Sequence, residues 1–115
     1  MFVNFTNHPS NQWDDNQIRA AHIYGESVDV PFPEVDPTAD EDYITSLADT
    51  CMKEILKHHP TAVLCQGEFC LAYQVISRCK ALGIPVLAAC SKRCVEENGN
   101  RKIVTFSFAR FRRYE

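Results

Sequence analysis

TAVLCQGEFCLAYQVISRCKALGIPVLAA, residues 61–89, decides the fold. Its first five residues, Thr61 to Cys65, form an apolar run of strand length, entered from Pro60 and left through Gln66-Gly67-Glu68. An unbroken apolar run of that length reads as a strand buried on both faces, the habit of parallel sheets. Leu71, Ala72, Val75, Ile76, Cys79 and Leu82 then recur at helical spacing, and Gly83 stops the helix in the way glycine commonly does just past a C-terminus. Ile84 to Ala89 is a second buried strand. The segment is therefore a β-α-β unit.

The same grammar extends toward the N-terminus. Met1 to Thr6 reads as a strand broken by Asn7-His8-Pro9-Ser10, and Trp13 to Tyr24 as a helix with Ile18, Ala20 and Ala21 on one side and Gly25 at its end. Ser27 to Val30 is a short strand closed by Pro31-Phe32-Pro33, and the acidic stretch to Pro37 is a loop. Thr38 and Glu41 have capping-box spacing, and Ile44, Leu47, Ala48, Cys51 and Ile55 give the next helix its apolar stripe. Beyond Cys90 the pattern changes. Arg93 to Glu97 and Arg101 to Phe108 flank Asn98-Gly99, a strong hairpin signal, and Val104, Phe106 and Phe108 alternate with Thr105, Ser107 and Ala109.

Strand and helix in alternation, joined by right-handed crossovers, predict one α/β domain over residues 1–115. The expected architecture is a Rossmann-like three-layer sandwich of four parallel strands extended by a C-terminal antiparallel hairpin. In such sheets ligands gather outside the carboxyl ends of the strands, here Thr6 to Ser10, Pro31 to Val35, Gln66 to Phe69 and Cys90 to Arg93.

Composition agrees with a folded globular chain. Its 115 residues suffice for one core, and 45% hydrophobic with 23% charged residues is ordinary for a globular domain. No apolar run approaches the roughly 20 residues of a membrane span, and Met1 to Asn7 lacks the basic start and long apolar stretch of a signal peptide, which predicts a cytoplasmic protein. Cys51, Cys65, Cys70, Cys79, Cys90 and Cys94 are then expected to be free thiols. Net charge is −3, yet Glu26 to Glu54 holds nine acids against Lys53 alone, while nine of the 12 bases follow Ile76. Such a chain is no general coat for long nucleic acid, but its basic half can hold a compact anion.

Three clusters carry candidate chemistry. Ser91, Lys92 and Arg93 offer a hydroxyl and two cations for phosphate, the arginine as a planar fork and the lysine as a point charge; the plain alternative is a solvated turn. Thr6, Asn7, His8 and Ser10 place an imidazole, a proton-trading side chain, before a helix N-terminus; alternatively Ser10 or Asn11 only caps that helix and His8 packs on Trp13. Gln66, Gly67 and Glu68 offer an amide, a close backbone approach and a carboxylate, although a glutamate in a first turn is also a common partner of the helix dipole. The cysteines show neither a C-x-x-C metal spacing nor the cysteine-to-arginine loop of a cysteine phosphatase, leaving Cys90 as a minor candidate beside Lys92 and Arg93. Glycine-rich dinucleotide, P-loop and nucleophile-elbow motifs are missing.

Asn4-Phe-Thr-Asn-His8, Pro31-Phe-Pro33, Gln66-Gly-Glu68, Gly83-Ile-Pro-Val, Cys90-Ser-Lys-Arg93 and Phe106-Ser-Phe-Ala-Arg-Phe-Arg-Arg-Tyr114 together span most of the chain. In them the sequence resembles the small ring-nuclease-like proteins of type III CRISPR loci. The resemblance implies an intracellular protein that binds cyclic oligoadenylate, either sequestering it or, as in some branches of that family, cleaving it without a metal or other cofactor, the ribose 2′ oxygen attacking the adjacent phosphate. It assigns phosphate binding or charge stabilisation to Lys92 and Arg93 and proton handling or positioning to His8 or Ser91. A ring with rotational symmetry further predicts a homodimer with one ring on its twofold axis. The other function class open to the sequence is a non-catalytic, nucleotide-responsive or protein-binding subunit working through its apolar last strand and basic tail.

Overall fold

The apolar runs become the strands of one mixed sheet in the computed structural model, which describes residues 1–115. In chain order the elements are β1 (Phe2–Phe5), a single 3-10 turn (Ser10–Gln12), α1 (Asp15–His22), β2 (Ser27–Asp29), α2 (Glu41–Leu56), β3 (Ala62–Cys65), α3 (Phe69–Ala81), β4 (Val86–Asn98) and β5 (Arg101–Arg113). The five strands lie in the order β2-β1-β3-β4-β5. β1 pairs in parallel with β2 and β3, β3 with β4, and β4 runs antiparallel to β5. No helix is long and apolar enough to cross a membrane.

Alternation along the short strands divides the core in two, because successive side chains point to opposite faces. Val3, Phe5, Val63, Cys65 and Val86 join Ala48, Cys51, Met52 and Ile55 of α2 and Leu71, Val75 and Cys79 of α3. Phe2, Ala62, Leu64 and Leu87 join Trp13 and Ala21 on the α1 side, together with Phe108 and Phe111 of β5. Both faces are therefore covered, which explains why β1 and β3 read as continuous apolar runs rather than alternating ones.

The helix starts differ from expectation in an instructive way. Trp13 lies outside α1, whose N-cap is Asp14, its side chain accepting from Gln17 N–H at 2.9 Å. Neither Ser10 nor Asn11 caps it. Ile18 is exposed while Gln17 and Ala21 are buried, so the inward face of α1 is turned from the one its apolar residues suggest. The predicted capping box of Thr38 with Glu41 does not form either. Asp40 caps α2 by accepting from Tyr43 N–H at 3.1 Å, and Thr38 instead hydrogen-bonds to Asp36 in the loop before it. Aspartate competes well with threonine for the N-cap, and here it stands two residues nearer the helix.

The larger correction concerns β4. The sequence predicts a strand ending at Ala89 and a separate hairpin arm from Arg93; the structure has one strand of 13 residues from Val86 to Asn98. Only Val86 and Leu87 pair with β3, so the remainder leaves the sheet as a two-stranded ribbon with β5. A register shift between Cys90 and Ser91 marks the departure, where Ala109 is the extra residue of β5. The ribbon tip also moves by one residue: Gly99 and Asn100 form the loop, with Gly99 at φ 65°. Glycine at the first loop position meets the positive φ that tight hairpins require there.

Candidate functional site

Strand order fixes where a cleft opens. β2 and β3 flank β1 on opposite sides, so the segments after β1 and β3 leave the sheet edge in different directions and separate. Thr6, Asn7 and His8 follow β1, Gln66 and Gly67 follow β3, and between them lies a cleft of about 380 Å³, completed by Trp13, Gln17, Leu64 and Ala89.

The β1 side of this cleft is built around Asn4, which is buried at the end of the strand. Its Nδ2 donates to the carbonyl of His8 at 2.9 Å and to Asp29 Oδ1 at 2.9 Å, while its Oδ1 accepts from Thr6 Oγ1 at 2.8 Å. Trp13 Nε1 also donates to the His8 carbonyl, at 3.2 Å. The carbonyl of His8 is thus held by two side chains, with Thr6 Oγ1 a longer 3.3 Å away and its one proton shared with Asn4, and the imidazole is left exposed at the rim. The amide of His8 in turn donates to Thr6 Oγ1 at 3.0 Å. Ser10 stands apart from the cleft lining: its N–H and hydroxyl are both directed to Asp29, the hydroxyl at 3.2 Å.

The β3 side is mostly occupied by its own structure. Gln66 Oε1 accepts from Ala89 N–H at 2.9 Å, so the side-chain amide carries the β3–β4 ladder one step beyond the strand. Both Glu68 oxygens accept backbone N–H groups of α3, Leu71 at 2.8 Å and Cys70 at 2.9 Å. These bonds, that from Leu71 first, hold its carboxyl below the usual carboxylate value. Glu68 is the N-cap of α3 and does not line the cleft. Gly67 answers a steric need: a Cβ there would come within 2.6 Å of the Phe32 ring, which packs on Phe5 at a centroid distance of 4.8 Å.

Cys90, Ser91, Lys92 and Arg93 are not a loop at a strand end. All four belong to β4 at the root of the ribbon, Cys90 half-buried and the other three exposed. None lines the cleft of Thr6, Asn7, His8, Gln66 and Gly67, which itself contains no lysine or arginine. Of the remaining thiols, burial pushes Cys65 up to about 12 and Cys79 up to about 11, which keeps both protonated and unreactive. No group of three His, Cys, Asp or Glu side chains is arranged to hold a metal.

Sequence reasoning missed Asn4, Trp13, Gln17 and Asp29 as site builders. An asparagine inside an otherwise apolar strand was the available signal, since a buried amide must find several partners and so organises what surrounds it. It also missed the aromatic pair on the first turns of α3, Phe69 at 89% and Tyr73 at 72% exposure, which continue the groove from Gln66 and Gly67 toward Tyr114. A third concavity, about 590 Å³ between the starts of α2 and α3, is lined by Asp36, Asp40, Glu41 and Glu68 and disfavours an anion.

A family model described as the uncharacterized protein MJ1673 family matches residues 1–112. No curated protein and no solved structure matches the chain.

Proposed function

The chain belongs to the uncharacterized MJ1673 family, and we propose that it is a cytoplasmic, CRISPR-associated domain that binds cyclic oligoadenylate in the cleft beneath His8. The observation that carries ligand binding is the placement of this cleft where the strand order reverses, between the carboxyl ends of β1 and β3. That is the crevice in which open α/β sheets hold their ligands. On this reading the fold is a Rossmann-like three-layer sandwich of four parallel strands with a C-terminal hairpin. The neighbouring exposed rings of Phe69 and Tyr73 offer stacking faces for adenine, and base–aromatic stacking is worth about 1–3 kcal/mol per base.

Ring cleavage, as proposed, needs no metal: the 2′ oxygen attacks the adjacent phosphate, the bond to the 5′ oxygen breaks, and a cyclic phosphate forms. His8 is the one titratable side chain lining the cleft and the group proposed to move the proton. Two copies would share one ring. Lys92 and Arg93 could reach phosphates only from the ribbon.

A second reading, a non-catalytic nucleotide-responsive subunit, gains from a specific observation. Gln66, Glu68 and Ser10 are each engaged by the chain itself, which leaves few free groups for chemistry. Incubation of the pure protein with cyclic tetra-adenylate, with and without chelator, separates the two. Linear product insensitive to chelator supports cleavage, binding without product supports the second reading, and neither binding nor product removes both.

A further inference from the structure

One face of the ribbon of β4 and β5 carries an uncovered apolar patch of Val95, Val104 and Phe106, flanked by charges. From the register, Arg93 pairs with Phe106, Val95 with Val104 and Glu97 with Lys102, and these alternate pairs share the face that also carries Phe108. Phe108 and Phe111 are covered by Trp13 and α1 at the root of the ribbon, where the rings of Phe108 and Phe111 meet at 4.8 Å. Past that point the cover stops: Phe106 is 68% exposed, and Val95 and Val104 are exposed beside it. A two-stranded hairpin alone in water is marginal at best. The ribbon also stretches the molecule to 50 × 37 × 25 Å, with a radius of gyration of 15.7 Å, against about 13 Å expected for a compact chain of this length.

We propose that a second copy of this chain covers this face, the two ribbons packing antiparallel with their Val95–Val104 pairs at the twofold axis. The charges select this occupant. Arg93 and Glu97 lie two residues to either side of Val95 and carry opposite signs, so reversing one ribbon over the other sets each Arg93 against the partner's Glu97, and each Phe106 ring against the partner's Lys102. A twofold axis makes every such contact twice. The alternative twofold, with the ribbons face to face and pointing the same way, would set the two α1 helices against each other, because α1 already sits on this face at the root. This surface deepens the homodimer part of the proposed function and needs no ligand.

The test is association without nucleotide, by sedimentation across a wide dilution series, with circular dichroism to confirm folding. Wild-type protein is expected to dimerise. Phe106→Ser and Arg93→Glu should each weaken the dimer by about tenfold or more, since each change acts at two symmetric contacts. Ile103→Ser, which removes an exposed apolar side chain from the opposite face, should leave it unchanged. Monomeric wild-type protein overturns the proposal. So does a dimer indifferent to Phe106→Ser, or one that Ile103→Ser weakens equally. A dimer with these properties that fails to bind cyclic tetra-adenylate leaves this surface standing and removes only the ligand.

Discussion

Asp14 Oδ2 accepts a hydrogen bond from the backbone N–H of Phe108 at 3.1 Å, across 94 positions of sequence, while its Oδ1 caps α1 through Gln17. One carboxylate therefore fixes both where α1 begins and where the ribbon leaves the sheet, one residue from the bulge at Ala109. The bonds from Gln17 first and Phe108 second hold its carboxyl below the ordinary value. A folded value below the unfolded one means that this contribution is complete above the unfolded pKa and is lost as pH falls through the lowered folded value. Acid titration of the melting temperature should show a decline from about pH 4 downward, smaller in Asp14→Asn, which keeps an acceptor but no charge. Asp14→Ala should also free the Phe108 amide, seen as faster hydrogen exchange there; an unchanged exchange rate would contradict the link.

Gly67→Ala should destabilise the domain by about 1–3 kcal/mol, the usual cost of forcing an extra methyl group into a packed site. The Phe32 ring in its way is buried against Phe5 and cannot swing out freely. Urea denaturation gives the number. The double change Gly67→Ala with Phe32→Leu should be less than additive, and strict additivity would show that the ring is not the obstacle.

Asn4→Leu keeps the size of the side chain but removes three polar contacts, leaving the His8 carbonyl to Trp13 and Thr6, and Asp29 to Ser10 alone. Each such hydrogen bond is worth about 0.5–1.5 kcal/mol net. Beyond the loss of stability, the segment from Thr6 to Ser10 should become protease-sensitive, and any ligand affinity of the cleft should fall with it. A variant equally resistant to proteolysis would mean that Trp13 and Thr6 suffice to hold His8.

Thiol reactivity should follow burial and local charge. Cys94 and Cys70 are exposed, but the Glu68 carboxylate raises the Cys70 thiol, so a neutral alkylating reagent should modify Cys94 first. Cys94→Ser should abolish the fast phase. Cys51, Cys65 and Cys79 should react only on unfolding, and labelling of Cys65 in the native protein would be incompatible with its burial.

By itself the sequence determined the elements whose physics is local. The apolar runs at Phe2 to Phe5 and Ala62 to Cys65, the helical stripe from Leu71 to Cys79, and the glycine stops at Gly25 and Gly83 declare themselves within a few residues, because strand burial and helix termination act over that range. The hairpin near Gly99 was legible for the same reason. Tertiary structure alone decided what depends on distant partners. Asp29 takes Ser10 out of the cleft lining, and the backbone of Ala89 takes up the amide of Gln66. The α1 N-cap fell to Asp14, which also serves Phe108. Above all, β4 runs on past Ala89 because the long antiparallel partner β5 satisfies its backbone, carrying Ser91, Lys92 and Arg93 out along the ribbon instead of leaving them at the sheet edge beside His8. A strand's end is set by where its partner stops, and for this strand that partner is itself 13 residues long.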